Sequence, residues 1–273
     1  MWGRISTGAE TLLTKCAIFL CVANPIRVFC RSLRLCKSER LSSGRRLCAW
    51  VGLLLAAATA QCTINLPPEA QPPAPRNVFV NGSFEQGKEP WFALVTANWE
   101  SFDVTDRHAL HGRHAAHLTL RAGTPAEGTK IVGVIQEVSD RDFPKRLSGS
   151  YRIEGWKRGT PKQYLQVVVI VFGDPSERPL PNYQIRYVLA GIDKPPLRIV
   201  NARYVLIGGS GLQEGRWVRF DLDLHADFHR QWGRIPKEFN KIRVLFEVRF
   251  DEKNSGEGEV RAEVYYDDLY LGD

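Results

Sequence analysis

The stretch "NVFVNGSFEQGKEPW", residues 77–91, marks where the folded part of this chain begins. It combines an Asn-Gly-Ser turn with a Phe-Glu pair and a nearby Trp. The second informative stretch is "YYDDLYLGD", residues 265–273, a strand-like sequence that contains two adjacent Asp residues. These two stretches bound a body, residues 77–273, whose composition differs from that of the residues before it.

Charge and cysteine content separate the body from the N-terminal region. The formal net charge is +7, but residues 1–76 hold 10 of the 37 Lys and Arg residues and 3 of the 30 Asp and Glu residues. The body therefore has 27 of each sign, and this balance predicts no nucleic-acid partner, which would require a clustered basic surface. All six Cys residues lie in the first 62 residues, so the body is expected to fold without disulfides, as about 200 residues can do.

Residues 45–62 have the pattern of an export signal. Two Arg residues precede an apolar run of 14 residues, which is short for a transmembrane helix of roughly 20 residues. A small-x-small motif ends at Ala60 and predicts cleavage before Gln61, which would give a secreted protein. Cys62 offers the alternative of a bacterial lipoprotein held at the cell envelope, and a third alternative is an uncleaved single-pass membrane anchor.

The segments on either side of this signal lack the pattern of a folded core. Residues 1–44 are rich in Arg and Cys without a sustained period, and we interpret them as an unassigned leader or an over-extended gene start. Residues 63–76, "TINLPPEAQPPAPR", contain five Pro residues and are predicted to form a semi-rigid linker in polyproline conformation.

The body has the pattern of short β-strands separated by turns. Runs of β-branched and aromatic residues with period-two alternation recur along it, and Gly, Pro and Asn turn signals separate them. This spacing predicts an all-β fold, an antiparallel β-sandwich, with one short helical turn within residues 226–241. The predicted strands are 130–138, 164–173, 183–191, 202–209, 216–224, 241–250 and 259–271.

One predicted strand, "KIRVLFEVRF" (241–250), has an apolar face and a charged face. Arg243, Glu247 and Arg249 point away from the apolar side because neighbouring side chains of a strand alternate. Charges on a sheet face usually form a solvated exterior, and the alternative is that they line a ligand groove.

Three motifs together resemble those of the galactose-binding-like jelly roll, the fold of many non-catalytic carbohydrate-binding modules. They are N-G-S-F-E…W at the start, H-G-R-H-A-A-H-L-T-L at 111–120 and the terminal Y-Y-D-D-L-Y-L strand. The resemblance covers residues 77–273 and implies a jelly-roll β-sandwich whose first and last strands lie side by side. Trp217 resembles a core position of that fold. The implied partner is a carbohydrate or glycan.

The resemblance also implies a structural calcium ion where the two ends of the body meet. Glu85 and Asp268 would supply carboxylate oxygens, with Asp267 as the alternative to Asp268, and Ser83 and Arg113 would supply backbone carbonyls. Calcium takes about six to eight oxygen ligands, and adjacent strand residues point to opposite faces, so only one Asp of the pair can join the site. The alternative is that the Asp pair accepts hydrogen bonds from turn amides.

Aromatic side chains indicate where a sugar would bind, because aromatic rings pack against the C–H faces of pyranose rings. Trp156 is expected to share a strand face with Arg152 and Glu154 by period-two alternation. Trp232 and Tyr183, in an irregular and a Pro-bounded segment, are the other candidates for an exposed platform.

The sequence thus predicts an exported, non-catalytic binding module on a Pro-rich linker. No nucleophile elbow, phosphate loop or zinc-protease motif occurs in it. Two alternatives stay open. One is an envelope-associated structural protein whose sandwich contacts another protein. The other is a diverged polysaccharide lyase or hydrolase, and a hydrolase would need two facing carboxylates with shifted pKa values.

Overall fold

The structure is a computed structural model that describes residues 75–124, 128–173 and 182–273. The predictions for the leader, for the export signal with Cys62 and for all but the end of the Pro-rich linker lie outside the described residues and stay predictions.

The described chain is built almost entirely of β-strands. It contains eleven strands and one helix: β1 (Trp99–Glu100), β2 (Asp103–Thr105), β3 (Ala115–Ala122), β4 (Gly128–Val138), β5 (Arg146–Lys157), β6 (Gln163–Phe172), β7 (Asn182–Ala190), β8 (Ala202–Leu206), β9 (Trp217–Asp223), α1 (Leu224–Trp232), β10 (Lys241–Lys253) and β11 (Val260–Gly272). Within the residues that the structure describes, no helix has the length and hydropathy needed to cross a membrane.

The strands form two sheets that pack face to face. The six-stranded sheet has the order β1-β4-β10-β6-β7-β8, and the five-stranded sheet has the order β2-β3-β11-β5-β9. All pairs are antiparallel except β1 with β4 and β7 with β8, which are parallel. The predicted all-β sandwich is therefore confirmed, with a parallel strand added at each edge of the larger sheet.

The core lies between the sheets and follows from the period-two patterns. In β10 the inward residues Ile242, Val244 and Phe246 are fully buried, as the apolar face of this strand predicts. In the opposite sheet, Val264 and Tyr266 of β11 are buried to the same extent and belong to the same apolar cluster. Both sheets thus exclude water from one common core.

The opening stretch supplies core residues without forming a strand. The rings of Phe79 and Trp91 lie 5.1 Å apart, and those of Phe84 and Trp91 lie 5.2 Å apart. Trp91 also contacts Phe246 of β10 edge to face, at 6.0 Å. This explains why aromatic residues follow the Asn-Gly turn. They close one end of the core, and aromatic pairs at such distances stabilise it beyond the apolar area that they bury.

The two ends of the body are adjacent, as the resemblance implies. The side-chain amide of Asn77 donates to the carbonyl of Leu269 at 2.9 Å, and its oxygen accepts from the N–H of Leu271 at 2.9 Å. The N–H of Val78 donates to the Leu271 carbonyl at 2.6 Å. These bonds join Asn77 and Val78 to Leu269 and Leu271 of β11 without a regular ladder. The predicted first strand is therefore an irregular segment that lies along the last strand.

Helix α1 is the described helical element, and it starts where β9 ends. The Asp223 side chain caps it by accepting from the N–H of Ala226 at 2.9 Å, and Gly233 ends it with a φ of 76°. Phe228 is fully buried against Phe143, with ring centroids 4.9 Å apart. The helical turn predicted within 226–241 is confirmed, although the helix begins two residues earlier.

Candidate functional site

The hairpin around Gly112 receives two carboxylates, one from each end of the body. Glu85 accepts from the backbone N–H groups of Arg113 at 2.9 Å and His114 at 2.8 Å. These two bonds are the main reason why the pKa of Glu85 is below its usual value. Gly112 has a φ of 69°, and a Cβ atom there would lie 2.5 Å from Glu85 Oε1, so a glycine is needed for this approach.

Asp267 caps the same hairpin from the last strand. It is fully buried, and its carboxylate accepts from the N–H groups of Leu110 at 2.8 Å, His111 at 3.1 Å and Asp268 at 2.7 Å. Burial raises the pKa of Asp267, and these N–H groups oppose the change. For Asp267, the structure thus matches the alternative in which the Asp pair accepts hydrogen bonds from turn amides.

The predicted calcium ligands lie around this hairpin. Asp268 has a φ of 55° and a half-exposed side chain whose Oδ2 lies 3.9 Å from Nδ1 of His111. Glu85 uses Oε1 for the backbone amides, while its Oε2 lies 3.5 Å from Nδ1 of His114. Both carboxylates therefore retain an oxygen that could bind a hard cation. Ser83 and Arg113, the predicted carbonyl ligands, belong to the opening stretch and to the hairpin. Calcium at this position stays a prediction.

Tyr183 of β7 packs against helix α1 beside Trp232, the last residue of that helix, and the structure corrects the prediction that Tyr183 is exposed. Tyr183 is fully buried, with its ring 5.8 Å from Phe228 and 5.1 Å from Trp232. Trp232 packs against the core with one face, and the guanidinium of Arg203 lies 4.2 Å from the centre of its ring. Tyr183 cannot offer an exposed face to a sugar, because the residues that bound the core cover it.

The predicted group of Arg152, Glu154 and Trp156 is divided between two faces of β5. Arg152 Nε donates to Glu154 Oε1 at 2.7 Å on the outer face of the sheet. Trp156 instead packs against the core. The cause is a β-bulge at Gly155, whose φ is 56°, because one extra residue in the strand reverses the alternation that follows.

Trp217 occupies the outer position that the sequence assigned to Trp156. It pairs with Arg152 across β9 and β5, so the two side chains share the outer face of the five-stranded sheet. Its ring is partly exposed and lies outside the core cluster. The prediction of a core position for Trp217 is therefore wrong. Alternation along β9 turns Val218, Phe220 and Leu222 to the core, so Trp217 lies on the outer face.

The outer face of the six-stranded sheet carries a row of polar side chains, here called the polar row: Tyr164, Gln166, Glu247, Arg249 and Asp251. Gln166 Nε2 donates to Glu247 Oε2 at 2.6 Å, and Arg249 Nη1 donates to the same oxygen at 3.2 Å. Asp251 accepts from Arg249 Nη2 and from the Tyr164 hydroxyl. A single network thus runs along β10 and reaches β6.

The polar row is not a solvated exterior. Glu247 is 2% exposed and Arg249 is 7% exposed, and Gln166 is fully buried. Burial acts to lower the pKa of Arg249, but the charges of Glu247 and Asp251 outweigh it and raise the pKa, so the guanidinium stays charged. The network therefore consists of ions held out of water, which is expensive unless each is paired.

Apolar clusters flank the polar row on both sides of the same face. On the β4 side, Trp99 lies over Gly133, since a Cβ atom there would lie 2.7 Å from its ring. On the β7 and β8 side, Ile192 and Tyr204 pack beside Tyr164. The polar row thus lies between two apolar clusters, and this strip of the sheet face is here called the trough.

Four polar atoms around the trough have no hydrogen-bond partner among the described residues. They are Oε1 of Gln166, Nε of Arg249, the hydroxyl of Tyr204 and Nε1 of Trp99, and all four are buried. Buried polar atoms are satisfied in most native structures, because an unsatisfied one costs about 1–3 kcal/mol. Such atoms, gathered at one place, mark a position where a ligand or solvent would complete the network.

A cleft of about 680 Å³ opens at the Tyr164 end of the trough. Ile192 lines this cleft and also packs against Tyr164, which connects the two features. The cleft lies between the loops that follow β5, β7 and β10, and Arg158, Lys162 and Lys194 are among its charged lining residues. A volume of this size is typical of small-ligand sites.

The sequence indicated only the β10 part of the polar row. The residues that other strands contribute to the row and to the trough were not predicted. The charged face of β10 pointed to it, because Glu247 and Arg249 alternate with core residues. Gln166 lies in a run of apolar residues and gave no separate signal, since its partner is set by the register of β6 with β10. Trp99 and Tyr204 reach the trough from segments far away in sequence.

The solved structures described below are similar to this chain at low identity and with TM-scores below 0.5. No family model and no curated protein matches the sequence. The chain is similar to the carbohydrate-binding module TmCBM61, solved with β-1,4-galactotriose, at 16% identity and a TM-score of 0.38, over 72% of this chain and 97% of that one.

Two further solved structures are of the same kind. One is the CBM22-1 xylan-binding domain of Xyn10C from Paenibacillus barcinonensis, at 15% identity and a TM-score of 0.36, over 73% of this chain and 95% of that one. The other is the CBM28 module specific for non-crystalline cellulose, at 11% identity and a TM-score of 0.39, over 72% and 96%. A further similar structure is the enzymatically active domain of a bacteriophage CBA120 tailspike protein, at 11% identity and a TM-score of 0.35, over 72% of this chain and 21% of that one. Similarity at this level assigns no ligand to this chain.

Proposed function

We propose that this protein is an exported, non-catalytic module that binds an uncharged carbohydrate in the trough of the six-stranded sheet. The observation that supports the proposal is the buried polar row with unsatisfied atoms at Gln166, Arg249 and Tyr204. Sugar hydroxyls both donate and accept hydrogen bonds, and so they can pair with an amide oxygen, a guanidinium N–H and a phenol together.

The composition of the trough favours a sugar over an apolar ligand. Polar side chains that fix hydroxyl orientation lie between aromatic and apolar walls, formed by Trp99 on one side and by Tyr204 on the other. This combination suits a pyranose, which has polar edges and apolar C–H faces. The cleft at the Tyr164 end would admit one end of the chain of sugars.

The charge balance of the trough favours an uncharged ligand. Glu247 and Asp251 contribute two negative charges, and Arg249 with Arg186 on the neighbouring strand β7 contributes two positive charges. The acidic groups are paired to Arg249, so neither sign is in excess. An ionised ligand would leave one charge buried without a partner, which is strongly unfavourable.

Export gives the module access to such a ligand. The signal pattern at 45–62 supports secretion or attachment to the cell envelope through Cys62, and the Pro-rich segment would hold the sandwich away from that surface. This part of the proposal depends on the sequence pattern.

Replacing Tyr204 by Phe tests the proposal. In Tyr204→Phe the wall keeps its shape and loses a buried hydroxyl that has no partner among the described residues. We expect stability to be unchanged or to rise by up to about 1 kcal/mol, because no hydrogen bond within the protein is lost. Affinity for the sugar should fall about tenfold, the equivalent of one hydrogen bond.

The measurement is calorimetric titration of the full chain with uncharged β-linked oligosaccharides of galactose, xylose and glucose. Tyr266→Phe is the matched control, because the Tyr266 hydroxyl is also buried without a partner but lies between the sheets. This variant should bind like the wild type. If the wild type binds none of these sugars, or if both variants lose affinity equally, the proposed site is wrong.

A further inference from the structure

The outer face of the five-stranded sheet holds a second polar cluster, centred on Glu263 of β11. The carboxylate of Glu263 accepts from the guanidinium groups of Arg107 at 2.9 Å, Arg261 at 3.2 Å and Arg121 at 3.4 Å. These three residues, here called the arginine cluster, come from β3, β11 and the loop between β2 and β3. Glu263 itself is deeply buried, with a side chain that is 7% exposed.

The arginine cluster has more positive charge than its carboxylate can balance. Three guanidinium groups face the single carboxylate of Glu263, and the nearby Glu259, whose charge also acts on Arg121 and Arg261, is paired to Lys157. Burial acts to raise the pKa of Glu263, but the hydrogen bond from Arg261 and the charge of Arg107 outweigh it and lower the pKa. One arginine would be enough to stabilise the buried carboxylate, so the other two need another explanation.

The arginine side chains remain accessible although they are held in place. Arg107, Arg121 and Arg261 are 60%, 63% and 47% exposed. Among the described residues, none of them has a second carboxylate within 4.0 Å. Each guanidinium has five N–H donors, so most of these donors face solvent while the contact with Glu263 restricts the side chain. Pre-positioned donors bind an anion with a smaller entropy cost.

Aromatic groups of the same face lie directly beside the cluster. The ring of His117 stacks on Tyr265 at 4.5 Å with an interplanar angle of 5°, and His108 meets Tyr265 edge to face at 4.8 Å. Tyr265 pairs with Arg152 of β5, and Arg152 pairs with Trp217 of β9. One row thus leads from the arginine cluster to a partly exposed indole ring.

We propose that this face binds the anionic groups of an acidic polysaccharide, with sulfate or carboxylate oxygens on the arginine cluster. Guanidinium groups bind both kinds of oxyanion through paired N–H donors, and arginine does so better than lysine. Trp217 would stack on an adjacent sugar ring. The site is independent of the trough, which lies on the other sheet and has balanced charges.

A polysaccharide fits this surface better than a nucleic acid does. The body of the chain has 27 residues of each sign, so an extended basic surface is not expected on it. Two acidic residues also lie on this face. Glu154 is paired to Arg152, and Asp103 of β2 pairs with His117 of β3. A nucleic acid presents closely spaced phosphates and requires an extended basic surface, whereas acidic sugars offer separated charges.

The test removes two arginines and leaves the third to pair with Glu263. In the double variant Arg121→Gln and Arg261→Gln, Arg107 still donates to Glu263 at 2.9 Å, so the sandwich should fold. The full chain is titrated with a heparin oligosaccharide and with oligogalacturonate, which distinguish sulfate from carboxylate recognition. We expect the double variant to bind at least tenfold more weakly to whichever probe the wild type binds, with a shallower dependence on salt.

Arg146→Gln is the matched control. Arg146 belongs to the same sheet and is exposed to a similar extent, but it forms a one-to-one ion pair with Asp221 at 2.5 Å. This variant should stay within twofold of the wild type, and binding of uncharged sugars in the trough should be unchanged in both variants. The proposal is overturned if the wild type binds neither acidic probe, if Arg146→Gln weakens binding equally, or if single-stranded DNA binds as tightly as the oligosaccharides.

Discussion

His117 lies between groups that act on its proton in opposite directions. Burial against Tyr265 lowers the pKa of the imidazole, and the charge of Arg107 lowers it further, while Glu263 at 3.6 Å and Asp103 act to raise it. Burial is the largest of these effects, so the pKa of His117 lies below its usual value. The ring is therefore neutral in the folded protein at pH 7.

The folded protein should become less stable as the pH falls through this range. The unfolded His117 has a pKa of roughly 6.5, and the folded one has a lower pKa, so the unfolded state binds the proton more readily. The contribution of His117 to the free energy of unfolding is fully present above about pH 6.5 and is lost as the pH falls below it. The variant His117→Gln should therefore show a smaller decline. Urea unfolding between about pH 5 and pH 7.5 measures it, with His229→Gln on the exposed side of α1 as the control.

Part of the wild-type slope should remain in His117→Gln. Burial also lowers the pKa of His108, which therefore contributes in the same direction. Identical slopes for the wild type and His117→Gln would show that the imidazole is not protected in the folded state, contrary to this account.

The structural role of a residue was predictable from the sequence where a tight turn requires that residue type. Asn77, Glu85 and Gly112 belong to turns with few alternatives, and motif resemblance located the place where they meet. The partners of Glu85 were not predictable, because a carboxylate can bind a cation or backbone amides, and the choice depends on how closely the hairpin approaches.

Helix α1 begins at the cap formed by Asp223 and carries Phe228 into the core. Asp223 ends β9 and caps α1, and the helix then inserts Phe228 between Phe143 and Tyr183. A weaker cap therefore affects packing as well as the first turn.

Replacing the cap should have a graded effect. Asp223→Ala removes the bond to the N–H of Ala226 and should lower the free energy of unfolding by about 1 kcal/mol. Asp223→Asn keeps a side-chain oxygen that can accept this bond, and it should cost less than half as much. Urea denaturation of the three proteins gives the comparison. Equal losses in both variants would indicate that the charge of Asp223, and not the cap, stabilises the helix.

Strand positions were predictable from alternation, and faces were predictable only where alternation is unbroken. In β10 the alternation continues over the whole predicted segment, and its inner face is as expected. In β5 the bulge at Gly155 moves Trp156 to the core, and the sequence contains only a glycine to indicate it. A glycine in a strand marks a bulge or a close approach, and the sequence does not say which.

At the scale of the whole molecule, a bound calcium ion would stabilise the contact between the opening stretch and β11. Glu85 and Asp268 flank one hairpin, and a cation between them would bind the folded state alone, because the carboxylates are 183 positions apart in the chain. A ligand at 100 times its Kd stabilises the folded state by about 2.7 kcal/mol.

Removing calcium should therefore lower the melting temperature. With a stabilisation of this size we expect the full chain to melt about 5–10 °C higher in calcium than in chelator. Glu85→Gln should lose this response. Equal melting temperatures in calcium and in chelator would show that the calcium prediction is wrong. The carboxylates of Glu85 and Asp267 would then hold the hairpin through its backbone N–H groups alone.

The sandwich was predictable as a class because few architectures accommodate many short strands without helices between them. The strand order was not, since pairs such as β11 with β3 and β5 join segments more than a hundred residues apart, and no local pattern specifies such partners.

The central place of β11 in the five-stranded sheet has a consequence for biosynthesis. Its neighbours β3 and β5 are translated long before it, yet they bond to each other only through it. On the ribosome β3 can pair with β2 and β5 with β9, but the two halves of the sheet join only after β11 has emerged. Until then each half exposes the edge that β11 will cover. Exposed strand edges favour aggregation, so a chain that is interrupted before β11 should aggregate more readily than the complete one.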